Sequence, residues 1–208
     1  TGSYKNTVDA YNASLVRSTP TALSVVRSNL AGASVGNYTL FAGGYNSSKC
    51  TGAVDAYNRD LVRSTPTTLS RARSNLAGAS VGNYTLFAGG QGDSGGHMST
   101  VDAYNASLVR STPTALSDAR YDLAGASVGN YALFAGGYTG SYKNTVDAYN
   151  ASLVRSKPTV LSDARYDLAG ASVGNYALFA GGYDDSYKNT VDAYNASLVR
   201  STPTALSV

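Results

Sequence analysis

The chain has 208 residues, 43% of them apolar and 14% charged, with a net charge of +3 and no run of like charge; this excludes a disordered polyelectrolyte and gives no reason to expect a nucleic-acid partner. A single cysteine, Cys50, and a single histidine, His97, exclude an intramolecular disulfide and a cysteine-based metal cluster. Twenty-two glycines and seventeen tyrosines without a tryptophan point to a turn-rich all-β protein, and the apolar runs are too short to cross a bilayer.

The chain opens at Thr1-Gly2, as a mature product, an excised piece or a fragment would. Its first elements are TVDAYN (7–12) and LVRSTP (15–20), which read as two strands, here lettered C and D. Pro20 has no N–H to give to a ladder, which suits an outer edge. LAGASVG (30–36) follows as strand A, built from small residues that fit a crowded innermost position. Gly36-Asn37 marks a tight hairpin turn, and NYTLFAGG (37–44) is strand B, with Tyr38, Leu40 and Ala42 alternating against Thr39 and Phe41.

This order then recurs. Val-Asp-Ala-Tyr-Asn begins at Val8, Val54, Val101, Val146 and Val191, and a Gly-Gly pair closes strand B at Gly43, Gly89, Gly136 and Gly181. Complete A-B-C-D sets start near Leu30, Leu76, Leu123 and Leu168. A period near 45 residues without a helical pattern predicts a β-propeller of four-stranded antiparallel blades. The expected division is one domain over 1–208, with an N-terminal half-blade (1–25) and four blades at about 26–70, 71–117, 118–162 and 163–208.

The chain resembles kelch-repeat proteins along its whole length in Gly43-Gly44, Tyr57, Pro66 and Arg73, an order that recurs in each later unit except that the last stops before its Arg. It departs from them in lacking the tryptophan that usually follows the tyrosine; Leu61-Val62 stands nearest that place. The copper site found in some kelch-type propellers is not implied, because it needs several histidines.

Strand direction sends the D–A and B–C connections to one end of every blade. Most of the variation between repeats falls there: 24–29, 70–75, 117–122 and 162–167, with 45–53, 91–100, 138–145 and 183–190. Tyr121, Tyr166, Tyr142, Tyr187, Asp118, Asp163, Arg120 and Arg165 are the candidate binding residues on this rim, with Asp184 and Asp185 beside them. Rings offer stacking area and carboxylates accept hydrogen bonds, so a glycan, peptide or protein is the expected partner. Against this, Arg27, Arg73, Arg120 and Arg165 read more readily as structural, paired with carboxylates such as Asp118 or Asp122, than as a cationic ring, and the mid-strand Asp9, Asp55, Asp102, Asp147 and Asp192 suit scaffold roles.

Gly92-Asp93-Ser94-Gly95-Gly96 matches the run around the nucleophile of trypsin-like proteases. That chemistry needs a histidine and an aspartate brought to the serine, and the only histidine follows it in the same loop, so GDSGG reads as a loop. Asp93, Asp184 and Asp185 offer too few oxygens for a calcium site. The Asn-Ala-Ser triplets at Asn12, Asn105, Asn150 and Asn195 fit glycosylation or turn chemistry alike.

Residues 3–25 and 186–208 are identical, so four A–B pairs face five C–D pairs and either terminal copy could complete the blade begun at Leu168. A four-bladed ring with a spare half-blade, a swapped oligomer and a window from a longer array all satisfy this; known kelch rings usually have more blades, which favours the last two. The expected function is a non-enzymatic binding or scaffold module without a cofactor, in an extracellular or cell-surface setting. The alternative is a purely structural or self-assembling repeat, natural or engineered, without a ligand.

Overall fold

A computed structural model describes residues 4–207. The chain forms a short hairpin, β1 (Ala10–Tyr11) and β2 (Arg17–Ser18), and then four four-stranded sheets. Sheet 1 comprises β3 (Ala31–Val35), β4 (Tyr38–Ala42), β5 (Val54–Tyr57) and β6 (Arg63–Ser64). Sheet 2 comprises β7 (Ala77–Val81), β8 (Tyr84–Ala88), β9 (Val101–Asn105) and β10 (Arg110–Ser111). Sheet 3 comprises β11 (Ala124–Val128), β12 (Tyr131–Ala135), β13 (Val146–Asn150) and β14 (Arg155–Ser156). Sheet 4 comprises β15 (Ala169–Val173), β16 (Tyr176–Ala180), β17 (Val191–Asn195) and β18 (Arg200–Ser201). Every neighbouring pair within a sheet is antiparallel. The fold is all-β and tandemly repeated. Of the two identical copies, the C-terminal one completes sheet 4, and the N-terminal one stands apart as β1–β2.

Local chemistry sets each connection. The A–B hairpins close in two residues, with Val35 opposite Tyr38 and Gly36 at φ +55°. In the C–D turns the asparagine side chain does the work: Asn105 Oδ1 accepts from the N–H groups of Ser107 (2.9 Å) and Val109 (3.0 Å). Leu108 ends that turn in the left-handed region at φ +61°, and its side chain packs on the sheet core. Asn12, Asn150 and Asn195 repeat the arrangement.

The sheets stand in a row, joined along their innermost strands. Ser80 Oγ donates to Ser34 O (2.6 Å) and Ser127 Oγ to Ser80 O (2.7 Å), linking β3 to β7 and β7 to β11. The strands approach so closely that a Cβ at Gly78 would lie 2.7 Å from Gly32 O, closer than a real Cβ contact allows. The Gly-Gly pair serves the same junction from the other side: Gly44 N donates to Arg73 O (2.8 Å), and a Cβ on Gly43 would sit 2.6 Å from that oxygen.

Each junction packs one face of a sheet against the opposite face of the next. Leu86, Ala88, Val101 and Ala103 of sheet 2 meet Ala132, Phe134 and Tyr149 of sheet 3. Tyr149 also donates its hydroxyl to Thr114 O (2.8 Å), in the segment after β10. Sheets 2 and 3 are therefore buried on both faces, so Leu86 and Phe87, which point to opposite sides of β8, are equally inaccessible. The two ends of the row differ. All five residues of β15 are exposed, while β7 and β11 alternate buried with half-buried positions.

Candidate functional site

The D–A and B–C connections do meet at one end of the sheets. Residues 91–100 lie beside 117–122, with Arg120 N donating to Met98 O (3.1 Å) and the His97 ring 5.0 Å from that of Tyr121. Single bridges extend each sheet here, pairing Tyr121 with Tyr138, Tyr138 with Tyr142, Tyr166 with Tyr183 and Tyr183 with Tyr187.

These pairings line up the rings. Tyr121 meets Tyr138 edge-on at 5.9 Å, and Tyr138 lies 5.7 Å from Tyr166. Tyr142 stacks on Tyr166 at 5.8 Å with their planes 8° apart, across the junction of sheets 3 and 4. Tyr166 then meets Tyr183 at 5.9 Å, and Tyr183 meets Tyr187 at 5.3 Å. A continuous aromatic row thus runs from His97 to Tyr187, ending in a recess of about 480 Å³ lined by Tyr166, Asp167, Gly182, Tyr183, Tyr187 and Lys188. Tyr187 is 92% exposed. Four of the eight residues expected from sequence, Tyr121, Tyr142, Tyr166 and Tyr187, belong to this row.

The remaining four do not. Arg120 and Arg165 are fully buried and cannot line a surface. Arg120 Nη2 donates to Asp147 Oδ2 (2.9 Å) and Arg165 Nη2 to Asp192 Oδ2 (2.8 Å), as Arg27 does to Asp55 and Arg73 to Asp102. Their partners are thus the mid-strand aspartates of strand C, rather than Asp118 or Asp122. Each aspartate also accepts from a serine N–H and hydroxyl, Ser117 for Asp147 (3.1 and 3.0 Å). Burial pulls the Arg120 guanidinium below its ordinary value, and Asp147 pushes it back. Asp118 and Asp163 are half-buried and accept from Thr145 and Thr190 (both 3.1 Å).

The other acidic candidates are likewise engaged. Asp184 pairs with Lys188 (2.8 Å), which holds its carboxyl below the ordinary value, and Asp185 accepts from the Tyr142 hydroxyl (2.7 Å). That bond pushes Tyr142 up to about 12. Asp93 of GDSGG accepts from the Cys50 N–H of the neighbouring sheet, while His97 turns to Tyr121. Burial pushes the Cys50 thiol up. Among the described residues, no three His, Cys, Asp or Glu side chains are grouped to hold a metal ion.

Inside the aromatic row lies a second one that sequence reasoning did not single out. Asn29, Asn75, Asp122 and Asp167 occupy the same place in successive repeats, all in the left-handed region at φ 51–56°. Their backbones chain together, each N–H donating to the carbonyl one repeat earlier: Asn75 to Asn29 (2.9 Å), Asp122 to Asn75 and Asp167 to Asp122 (both 3.0 Å). They rim a depression of about 240 Å³. Burial and the neighbouring Asp167 push Asp122 up to about 6. The signal was present in sequence as a change from Asn to Asp at a fixed repeat position. Tyr138 and Tyr183 were missed too, although each directly follows its Gly-Gly pair. No protein-family model matches this chain, and no curated protein matches it.

Proposed function

We propose that the row of sheets is an arc of a β-propeller with kelch-like blades, and that it works as a non-enzymatic binding module for glycans at the loop end of sheets 3 and 4. The propeller reading is supported by the small inner strands packed side by side and by the lettered strand order repeated in every sheet. The binding reading is carried by one observation: the tyrosine row from Tyr121 to Tyr187 reaches the surface as a band of neighbouring rings, with Asp167 and Lys188 at its open end. Aromatic faces stack on the C–H surfaces of sugar rings, while the phenol hydroxyls and Asp167 provide hydrogen bonds to their hydroxyls. The first two repeats hold Ser28 and Ser74 where the last two hold Tyr121 and Tyr166, so the proposed surface is confined to one half of the row.

A glycan array probed with the intact chain tests this. Tyr166→Ala and Tyr183→Ala each lower affinity at least about tenfold, the loss of one stacking contact at the centre of a small site. Binding that is undiminished in both variants, or that is found for peptides alone, rejects the assignment.

A further inference from the structure

The two ends of the row are unlike each other and, compared with the internal junctions, complementary. At every internal junction the A–B turn of one sheet touches the C–D turn of the next: a Cβ on Gly36 would lie 3.2 Å from Ala106, and one on Gly82 or Gly129 would lie 3.0 Å from Ala151 or Ala196. Gly174 of sheet 4 has no such neighbour within 4 Å. Ala171 is exposed, whereas its equivalents Ala79 and Ala126 are buried. Val173, Tyr176 and Leu178 line an open recess of about 280 Å³ on the same face.

At the opposite end, sheet 1 presents the face that sheets 2 to 4 bury. Thr39 is exposed where Thr85 and Ala132 are inaccessible, and Phe41 is only half-buried. What stands against this face is the β1–β2 hairpin, which has no inner strands of its own and leaves a cavity of about 500 Å³ beside Leu30, Gly32 and Phe41. The hairpin is far more open than its identical copy in sheet 4: Tyr11 is 64% exposed and Tyr194 is 0% exposed.

We infer that the chain associates head to tail with a second copy of itself: the exposed face of sheet 4 seats on sheet 1 of the next copy and takes the place of β1–β2 there. The occupant is specified by the molecule. The residues that sheet 4 would bring in place of β1–β2 include that hairpin's own sequence, already in its fully sheet-bound form, together with the two inner strands the hairpin lacks. The contact would repeat the Leu-face-on-Phe-face packing of the three internal junctions. Such an interface is heterologous, so it propagates into chains unless its curvature closes a ring. This inference rests on the packing of the sheets, independently of any glycan at the loop end.

Sedimentation velocity and light scattering on the full chain, from low micromolar to several hundred micromolar, test it with one variant at each end. Ala171→Arg and Thr39→Arg place a charge at positions that are exposed in the single chain, so both keep its thermal unfolding midpoint. The wild type shows a mass that rises with concentration, and each variant alone weakens association at least about tenfold. An equal mixture of the two variants, each with one intact end, forms a dimer and nothing larger. A wild type that stays monomeric throughout, association unaffected by either substitution, or a mixture that remains monomeric overturns the inference.

Discussion

Asp147→Asn probes the contact that ties each connection to the sheet it enters. The Asp147 carboxylate is inaccessible to solvent and holds Arg120 Nη2 at 2.9 Å, the Ser117 N–H at 3.1 Å and the Ser117 hydroxyl at 3.0 Å. The amide keeps the size of the group but removes its charge, leaving the Arg120 guanidinium buried without a counter-ion. Breaking a buried pair from one side costs about 3–5 kcal/mol. Set against a typical domain stability of roughly 5–15 kcal/mol, that is a large fraction. Asp9→Asn is the internal control, because Asp9 holds the same strand position in β1–β2 but pairs at 3.5 Å with Arg17, the counterpart of Arg155, with side chains 46% and 61% exposed. An exposed pair contributes about 0–1 kcal/mol. Urea unfolding followed by tyrosine fluorescence and circular dichroism should show a much lower midpoint for Asp147→Asn and almost none of that loss for Asp9→Asn. Replacing both partners, Asp147→Leu with Arg120→Met, should recover most of the loss. Equal effects of the two single substitutions, or an Asp147→Asn midpoint within about 1 kcal/mol of wild type, would refute the reasoning.

Asp122→Asn should stabilise the protein at neutral pH, since Asn29 and Asn75 already fill the equivalent places. The folded-state pKa of about 6 lies above the ordinary 3.8, so the charged carboxylate lowers stability as pH rises through that interval. The gain, about 1 kcal/mol after solvent screening of this partly exposed group, is full above pH 6 and absent below about pH 4 in thermal melts across that range. Gly78→Ala should cost about 1–3 kcal/mol in urea unfolding, because its Cβ meets the backbone carbonyl of Gly32. Gly32→Ala, whose nearest neighbour is the Phe41 ring at 3.3 Å with no backbone atom closer than 3.8 Å, should cost less; the reverse order counts against the close packing of inner strands.

Much of the fold was legible in the chain. The Gly-Asn and Asn-Ala-Ser turns, the alternation in NYTLFAGG and the 45-residue spacing predict the four strands of each sheet and the end at which its variable loops lie, because each is a local or periodic signal. Long-range partners were less legible. Arg120 has Asp118 and Asp122 two residues away, yet it reaches past them to Asp147, 27 residues on. Only the close approach of the connection to strand C makes that carboxylate the buried one. Sequence also selected four tyrosines of the aromatic row but not Tyr138 or Tyr183, whose rings are brought into line by single bridges outside the main strands.

Residues 3–25 and 186–208 separate what sequence and tertiary structure each decide. Sequence alone determined that both copies form a C–D hairpin, since the turn asparagine, the left-handed leucine and the strand pattern travel with the residues. It could not determine their burial. Tyr11 lies open and Tyr194 is sealed because only the second copy has inner strands beside it and a preceding sheet to pack on. Turn conformation is fixed within a few residues, whereas burial depends on which surfaces the rest of the chain can bring against them.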